Sequence, residues 1–399
     1  MQETNVINFR PDAFIPYGRQ SIDENDINAV IEVLQSNWLT SGPKISEFEA
    51  AVADYAGAQE AVAVSSGTAA LHAAIYALNI SVNDEVILPP ITFAATANAI
   101  IYQGGTPVLA DVSPDTLLID PAQVEKRITD KTKAIIGVDY SGHPCDYDAL
   151  RAIAEKYGLY LIADSCHAIG ALYKDQHISR LADLTVLSFH PVKHITTGEG
   201  GMVLTNIDRL VERMRRFRNH GIDVDASQRQ TNGSWHYQIT DTGFNYRLTD
   251  IQCALGLSQM KKLPVFLARR RQIAGQYDRS LLRIKGIVPL TVKSDVRHAY
   301  HLYVIRVQNG LSRRQMFQHL REAGIGVNVH YIPIHHHPYY QKTLGYQKGD
   351  FPVADTAYEE IISLPIFPDM TDGEVETVLK TINMFTRTQG GEINDTVRQ

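Results

Sequence analysis

Three stretches of this 399-residue sequence set groups capable of chemistry just after apolar runs. After AVAV (residues 61–64) comes Ser65-Ser66-Gly67-Thr68, then a helical pattern from about Ala69. Hydroxyls and backbone N–H groups gathered at the positive end of a helix dipole favour a phosphate; small polar residues there also serve as plain caps. The run LYLIAD ends in Asp164, with His167 three residues on. A carboxylate at a strand end can face a ligand, or cap the next turn. In LSFHPVKHITTGEGG a third run ends at Ser188-Phe189, and Lys193 follows before the glycine-rich stretch at 198–201. A lone loop lysine is ordinarily solvated, but beside the other two elements it is an amine nucleophile in waiting. Together the set meets the needs of pyridoxal phosphate: a phosphate to anchor, a pyridine nitrogen to keep protonated, and an aldehyde to capture as a Schiff base.

Such groups need elements to hold them. Short β-branched runs at 61–64, 85–89, 107–112, 133–140, 159–164, 184–189 and 201–205 alternate with helical patterns, one carrying Leu71, Ala74, Ile75 and Leu78 at i, i+3, i+4, i+7. Runs apolar along their whole length, such as AIIGV, suit strands covered on both faces of a mostly parallel sheet. Ser21 and Glu24 read as a capping box for a helix from near Ile22, with Ile27, Val30, Ile31 and Leu34 as its apolar stripe. After Arg247 a helical stretch is expected to break at Pro264 and resume to about Arg283. From about Ile287 the pattern is strand, helix, extended segment and a final helix near Thr371, enough for a smaller α+β domain.

Other classes fall away. Lys plus Arg is 38 against 44 for Asp plus Glu, a net charge of −6 with no basic block, which disfavours nucleic acid and anionic membranes. The opening MQETNVINFRPDAF has no apolar core of a signal peptide, and no stretch reaches about 18 apolar residues, so a cytoplasmic protein is expected. Cys145, Cys166 and Cys253 form no C-x-x-C pair and read as free thiols in a reducing compartment. Fingerprints of dinucleotide, P-loop and zinc-protease sites are missing from the sequence. Adjacent side chains diverge on a regular backbone, so His335, His336 and His337 read as a polar loop or a substrate-facing wall, with no metal site expected.

The spacing Asp164-x-x-His167 … Ser188-Phe189-x-x-x-Lys193, followed by TTGEGG and GFNYRLTDIQCALGLSQMKKL, resembles the sugar aminotransferase family of fold-type I pyridoxal phosphate enzymes. SNWLTSGPKISEFE, LPPITFAATANAI, VDYSGHP, VHYIPIHHHPYY and SLPIFPDMT carry the resemblance from about Phe14 to Phe385. It is greatest to members that aminate C4 of a UDP-linked 4-keto-6-deoxy-N-acetylhexosamine in pseudaminic acid biosynthesis. The resemblance implies that Lys193 forms the Schiff base and moves the proton, and that Asp164 holds the pyridine nitrogen protonated. His167 would lie near the ring's phenolic oxygen, and Gly67, Thr68 and Ser188 would hold the phosphate. Phe93 would stack on the ring, unless it is simply packed in the core. Asn245 would reach the phosphate in the partner subunit of a homodimer with shared sites. For the sugar nucleotide it points to Tyr17, to Asn37, Trp38, Leu39 and Thr40, and to Asn328, Val329, His330 and Tyr331.

The expectation is therefore an α/β fold-type I aminotransferase: an N-terminal arm (1–20), a large cofactor-binding domain with a mostly parallel mixed sheet (21–260), a small C-terminal α+β domain (261–386) and a disordered tail (387–399). L-glutamate is the expected amino donor. Two rivals stay open at this point. Family members that dehydrate the sugar carry His at the Schiff-base position, where this chain has Lys193. A non-catalytic regulator that kept the fold would not need Asp164, Ser188 and Lys193 together.

Overall fold

The structure, a computed structural model, describes residues 14–224, 229 and 233–396. Its main sheet is built from β1 (Glu60–Val64), β2 (Glu85–Leu88), β3 (Thr106–Leu109), β4 (Thr132–Val138), β5 (Tyr160–Asp164), β8 (Leu184–Ser188) and β9 (Gly201–Thr205). The order across it is β1-β9-β8-β5-β4-β2-β3. β8, β5, β4, β2 and β3 pair in parallel, whereas β9 is antiparallel to both β1 and β8. Six strands thus deliver their carboxyl ends to one edge, and β9 begins there: Gly201 pairs with Val64 on one side and Ser188 on the other. Their side chains are buried almost throughout, as an interior sheet requires. The small strands β6 (Leu172–Tyr173) and β7 (Gln176–His177) join β11 (Val296–Arg297) in a second sheet.

A third, antiparallel sheet has the order β10-β12-β13, from β10 (Ile287–Pro289), β12 (Tyr303–Val307) and β13 (Ile361–Leu364). It carries a second core with Ile273, Tyr277, Ile305, Ile362, Phe367 and Phe385. The N-terminal arm joins this core through Ile15, whose N–H donates to Gly324 O and whose carbonyl accepts from Gly326 N; residues 1–13 of that arm lie outside the described residues.

Several local expectations are corrected. The first helix is Glu24–Leu34, capped by a box of Asp23 and Asp26, while Ser21 Oγ instead donates to Asp369 Oδ1 at 2.8 Å. Its buried residues are Asp26 and Val33, with Asp26 bonded to Gln259 and Lys262, so Ile27, Ile31 and Leu34 face outward. Pro264 does not end its helix, which runs unbroken from Asp250 to Leu281. The loss of about 3 kcal/mol for an interior proline is outweighed by burial of Leu263, Phe266, Leu267, Ile273, Tyr277 and Leu281, each worth roughly 1.5–3 kcal/mol. That helix also passes through residue 260. At the other end the final helix spans Asp372–Thr396. Extending a formed helix costs far less than nucleating one, even across a glycine pair; residues 397–399 lie outside the described residues.

Candidate active site

The strand ends open onto a cavity of about 680 Å³, within the size range of small-molecule sites. Ser65, Ser66, Gly67 and Thr68 form its floor where β1 passes into helix Gly67–Ala77. Ser66 caps that helix by accepting from Ala69 N at 3.1 Å, which leaves first-turn amides without intrahelical partners, as at any helix start. Two glycines make the cradle possible. A Cβ on Gly67 would stand 2.9 Å from Ser188 Cβ, and one on Gly201 would stand 2.3 Å from Ser66 O. Ser188 is thereby brought against the loop that follows β1.

Asp164 ends β5 in the same cavity, its carboxylate accepting from Thr96 Oγ1 at 2.8 Å and from Cys166 N at 3.3 Å. Lys193 is placed by the turn after β8, where its N–H donates to His190 O. Loss of solvation pushes the Lys193 amine below its ordinary pKa, against the opposing pull of Cys166 and Asp164. The free-base fraction rises accordingly, which a nucleophile or a base needs. Burial, reinforced by the Lys193 charge and by neighbouring imidazoles, holds His167 well below its usual value, so its ring is neutral.

The opposite wall is Asn328, Val329, His330 and Tyr331, with Tyr17 beside them. This segment is laid against β13: Asn328 and Ser363 exchange backbone hydrogen bonds, and His330 Nδ1 lies 2.9 Å from Ser363 Oγ. Tyr331 Oη is 3.0 Å from His167 Nε2. Tyr17 packs on the His330 ring at 5.5 Å, held by its carbonyl, which accepts from Ile366 N. Phe93, at the N-cap of helix Ala94–Tyr102, is an exposed aromatic of the cavity wall rather than a core residue, 6.0 Å from the Tyr331 ring.

Sequence reasoning missed further groups here. His301 lines the cavity with its ring 4.3 Å from that of His167 and 5.7 Å from that of His194. All three are kept neutral chiefly by burial, and each has a buried Nδ1 without a hydrogen-bond partner among the described residues. Buried Arg270 fixes the backbone at this point, donating to the carbonyls of Tyr300, His301 and Ile366. Tyr140 does the same for the opposite wall by donating to His330 O. Thr96 in ITFAATA, Tyr140 in VDYSGHP and His194 in LSFHPVKHITTGEGG lay in segments the sequence drew attention to, whereas His301 and Arg270 did not.

Other expected residues lie outside the cavity of their own chain. Asn37, Trp38, Leu39 and Thr40 do not line it; Thr40 bridges Thr249, and Leu39 O accepts from Asp250 N. Asn245 is likewise absent from the lining, although Tyr246 O beside it accepts from Ser65 N. His335, His336 and His337 also stand apart, so they are no substrate-facing wall of this cavity.

The residues present fit pyridoxal phosphate: a glycine-dependent cradle for its phosphate, an anchored carboxylate, an amine of lowered pKa, and an exposed aromatic face. A fold of this type with an amine, a carboxylate and a phosphate cradle at the strand ends defines a pyridoxal phosphate-dependent enzyme. A family model for the DegT/DnrJ/EryC1/StrS aminotransferase family matches residues 20–383, and the chain belongs to that family. It is 42% identical to the spore coat polysaccharide biosynthesis protein SpsC of Bacillus subtilis, over 92% of this chain and 96% of the relative. Among solved structures it resembles Spr1654 of Streptococcus pneumoniae, described as a sugar aminotransferase and solved in PLP and PMP forms. For the PMP form the TM-score is 0.89 at 34% identity, covering 94% and 99% of the two chains. Helicobacter pylori PseC, an aminotransferase of pseudaminic acid biosynthesis, matches at TM-score 0.88 and 33% identity, covering 94% and 100%. The protein is a pyridoxal phosphate-dependent sugar aminotransferase with the fold-type I architecture.

Proposed function

We propose that the chain transfers the amino group of L-glutamate to C4 of a UDP-linked 4-keto-6-deoxy-N-acetyl-L-hexosamine, the step used in pseudaminic acid biosynthesis. The observation that carries this reading is the meeting of Lys193, Asp164 and the 65–68 cradle with the polar, aromatic wall 328–331 in one cavity. Pyridoxal phosphate, when bound, supplies a ring that withdraws electrons from the carbon losing its proton and carries the amino group between the two substrates. Lys193 would hold the cofactor and, as a free amine, would move the proton in both half-reactions. Asp164, oriented by Thr96, would hold the ring nitrogen and keep it protonated. Gly67, Thr68 and Ser188 would hold the phosphate, Phe93 would offer an aromatic face to the ring, and neutral His167 would serve its phenolic oxygen. Asn328, His330, Tyr331 and Tyr17 give the sugar nucleotide hydrogen-bonding groups and flat faces.

The working unit in this reading is a cytoplasmic homodimer. Ile27, Ile31, Leu34, Trp38 and Leu39 expose apolar surface near the chain's start, which a second copy would cover. The partner subunit's Asn245 then completes the phosphate site, and its residues 37–40 the sugar site. The three free cysteines suit a reducing compartment. No helix among the described residues is long and apolar enough to cross a membrane.

The 42% identity to SpsC favours a second reading, another nucleotide-linked keto sugar bound for a polysaccharide. The two part in one experiment: kcat/KM with glutamate for the UDP-linked L-sugar, its C5 epimer, and a dTDP-linked 4-keto sugar without the acetamido group, with products identified by mass spectrometry. A site that pairs a particular hydroxyl and amide rejects substrates that leave its own groups unpaired. Preference for the dTDP sugar would overturn the substrate assignment and leave the transaminase class standing.

A further inference from the structure

We propose that His335, His336 and Asp355 form a binding site for a divalent transition-metal ion of the zinc type, separate from the cofactor cavity. Neighbouring side chains usually diverge, yet ligand atoms of these three lie within 4.8 Å of one another. His335 Nε2 is 2.7 Å and His336 Nε2 2.5 Å from the same oxygen, Asp355 Oδ1. The convergence comes from the 3-10 turn Ile334–His336, pinned by Ile334 N donating to Pro90 O and His336 N donating to Pro333 O. The turn sets the two rings 4.5 Å apart and nearly perpendicular. His337 leaves the group and packs on Tyr340 instead.

Each donor is held from behind. Asp355 sits in the first turn of helix Pro352–Glu360, and its other oxygen, Oδ2, accepts from Gly349 N at 2.6 Å. Phe351 packs edge-on to His335, and Tyr358 edge-on to His336. Groups oriented in this way need little rearrangement to bind an ion. Two imidazoles and one carboxylate are a donor set that zinc-type ions take with water in a fourth position. Bonds of about 2.0–2.2 Å to such an ion would require the three donors only to part slightly from their present contact. None of the three lines the cofactor cavity. An ion here would tie the turn after the 328–331 wall to the helix that leads into β13.

Hydrogen bonds alone could also hold the cluster, and metal binding separates the two accounts. The full-length chain, free of any affinity tag, is stripped with a chelator and titrated calorimetrically with zinc, then with cobalt as a spectroscopic probe. The wild type should take up one ion per chain, show a four-coordinate cobalt spectrum, and melt at a higher temperature with zinc. His336→Leu should weaken zinc binding at least tenfold and abolish the melting shift; His336→Gln, which keeps a polar side chain, should do the same. Absence of stoichiometric uptake by the wild type would overturn the proposal. So would equal uptake by the wild type and either folded variant, because the ion would then sit elsewhere.

Discussion

Tyr331 Oη stands 3.0 Å from His167 Nε2 although the residues are 164 positions apart. His167 follows the end of β5, and Tyr331 ends a segment laid against β13, so the contact joins the two sheets across the cavity. Removing this hydroxyl tests the link. Tyr331→Phe should cost about 1 kcal/mol of interaction, in the range of one hydrogen bond, and slow turnover roughly fivefold. Unchanged steady-state kinetics in Tyr331→Phe would show that His167 is positioned by something else.

Lys193 is the proposed attachment point of the cofactor. Borohydride reduction should fix the cofactor to the peptide containing Lys193, and Lys193→Ala should lose both label and turnover. Label on Lys133 or Lys174 would refute the assignment. Asp164→Asn should keep the fold and much of the cofactor binding while slowing proton transfer, because the ring nitrogen loses its charge partner.

A shared site can be tested by mixing. Lys193→Ala and Asn245→Asp, each inactive alone, should regain activity as heterodimers, since one composite site has both residues intact. The carboxylate that Asn245→Asp introduces beside a phosphate should also weaken cofactor retention. Verified heterodimers without activity would assign Asn245 to its own chain.

Acid should destabilise the protein through His330. Burial first, and the Lys193 charge second, push its pKa down to about 4. The unfolded chain titrates near 6.5, so between these values it binds the proton that the folded state refuses. Stability is full above pH 6.5 and lost as pH falls towards 4, by on the order of 3 kcal/mol. Asp139 acts oppositely: burial raises its carboxyl to about 7 despite bonds from Ser165, Cys145 and Tyr147, so its share falls as pH rises from about 4. Comparing wild type with His330→Gln by urea unfolding at pH 7 and 4.5 cancels the Asp139 contribution. The variant should show the smaller acid loss; parallel losses would contradict the titration.

The strands and their terminal chemistry could be read locally because a buried strand is an apolar run and its end is where the run stops. Asp164 and Ser188 terminate β5 and β8 as the pattern predicts. His301 and Arg270 had no such signal, since their importance arises from contacts with segments far away in the sequence; Tyr140 does end the run 133–140, but its bond to His330 O could not be read from that position. Helix ends and breaks also escape local reading where tertiary packing decides. Ile27, Ile31 and Leu34 make a convincing inward stripe, but the stripe faces out and buried Asp26 faces in. Likewise the run of histidines reads as three residues pointing apart, because a kinked turn cannot be inferred from residue type.

The unbroken helix Asp250–Leu281 gives Leu263, Phe266 and Leu267 to the large core and Ile273, Tyr277 and Leu281 to the small one. Neither core can melt without leaving half of this helix unsupported, and an isolated half of about 15 residues is marginal in water. Buried Arg270 sits between the two groups and would lose all three of its carbonyl partners at the same moment. The two cores should therefore behave as one cooperative unit despite their separate sheets. Differential scanning calorimetry should give a single peak in which intrinsic fluorescence and circular dichroism change together; resolved peaks would mean that the helix parts near Pro264 before either core unfolds.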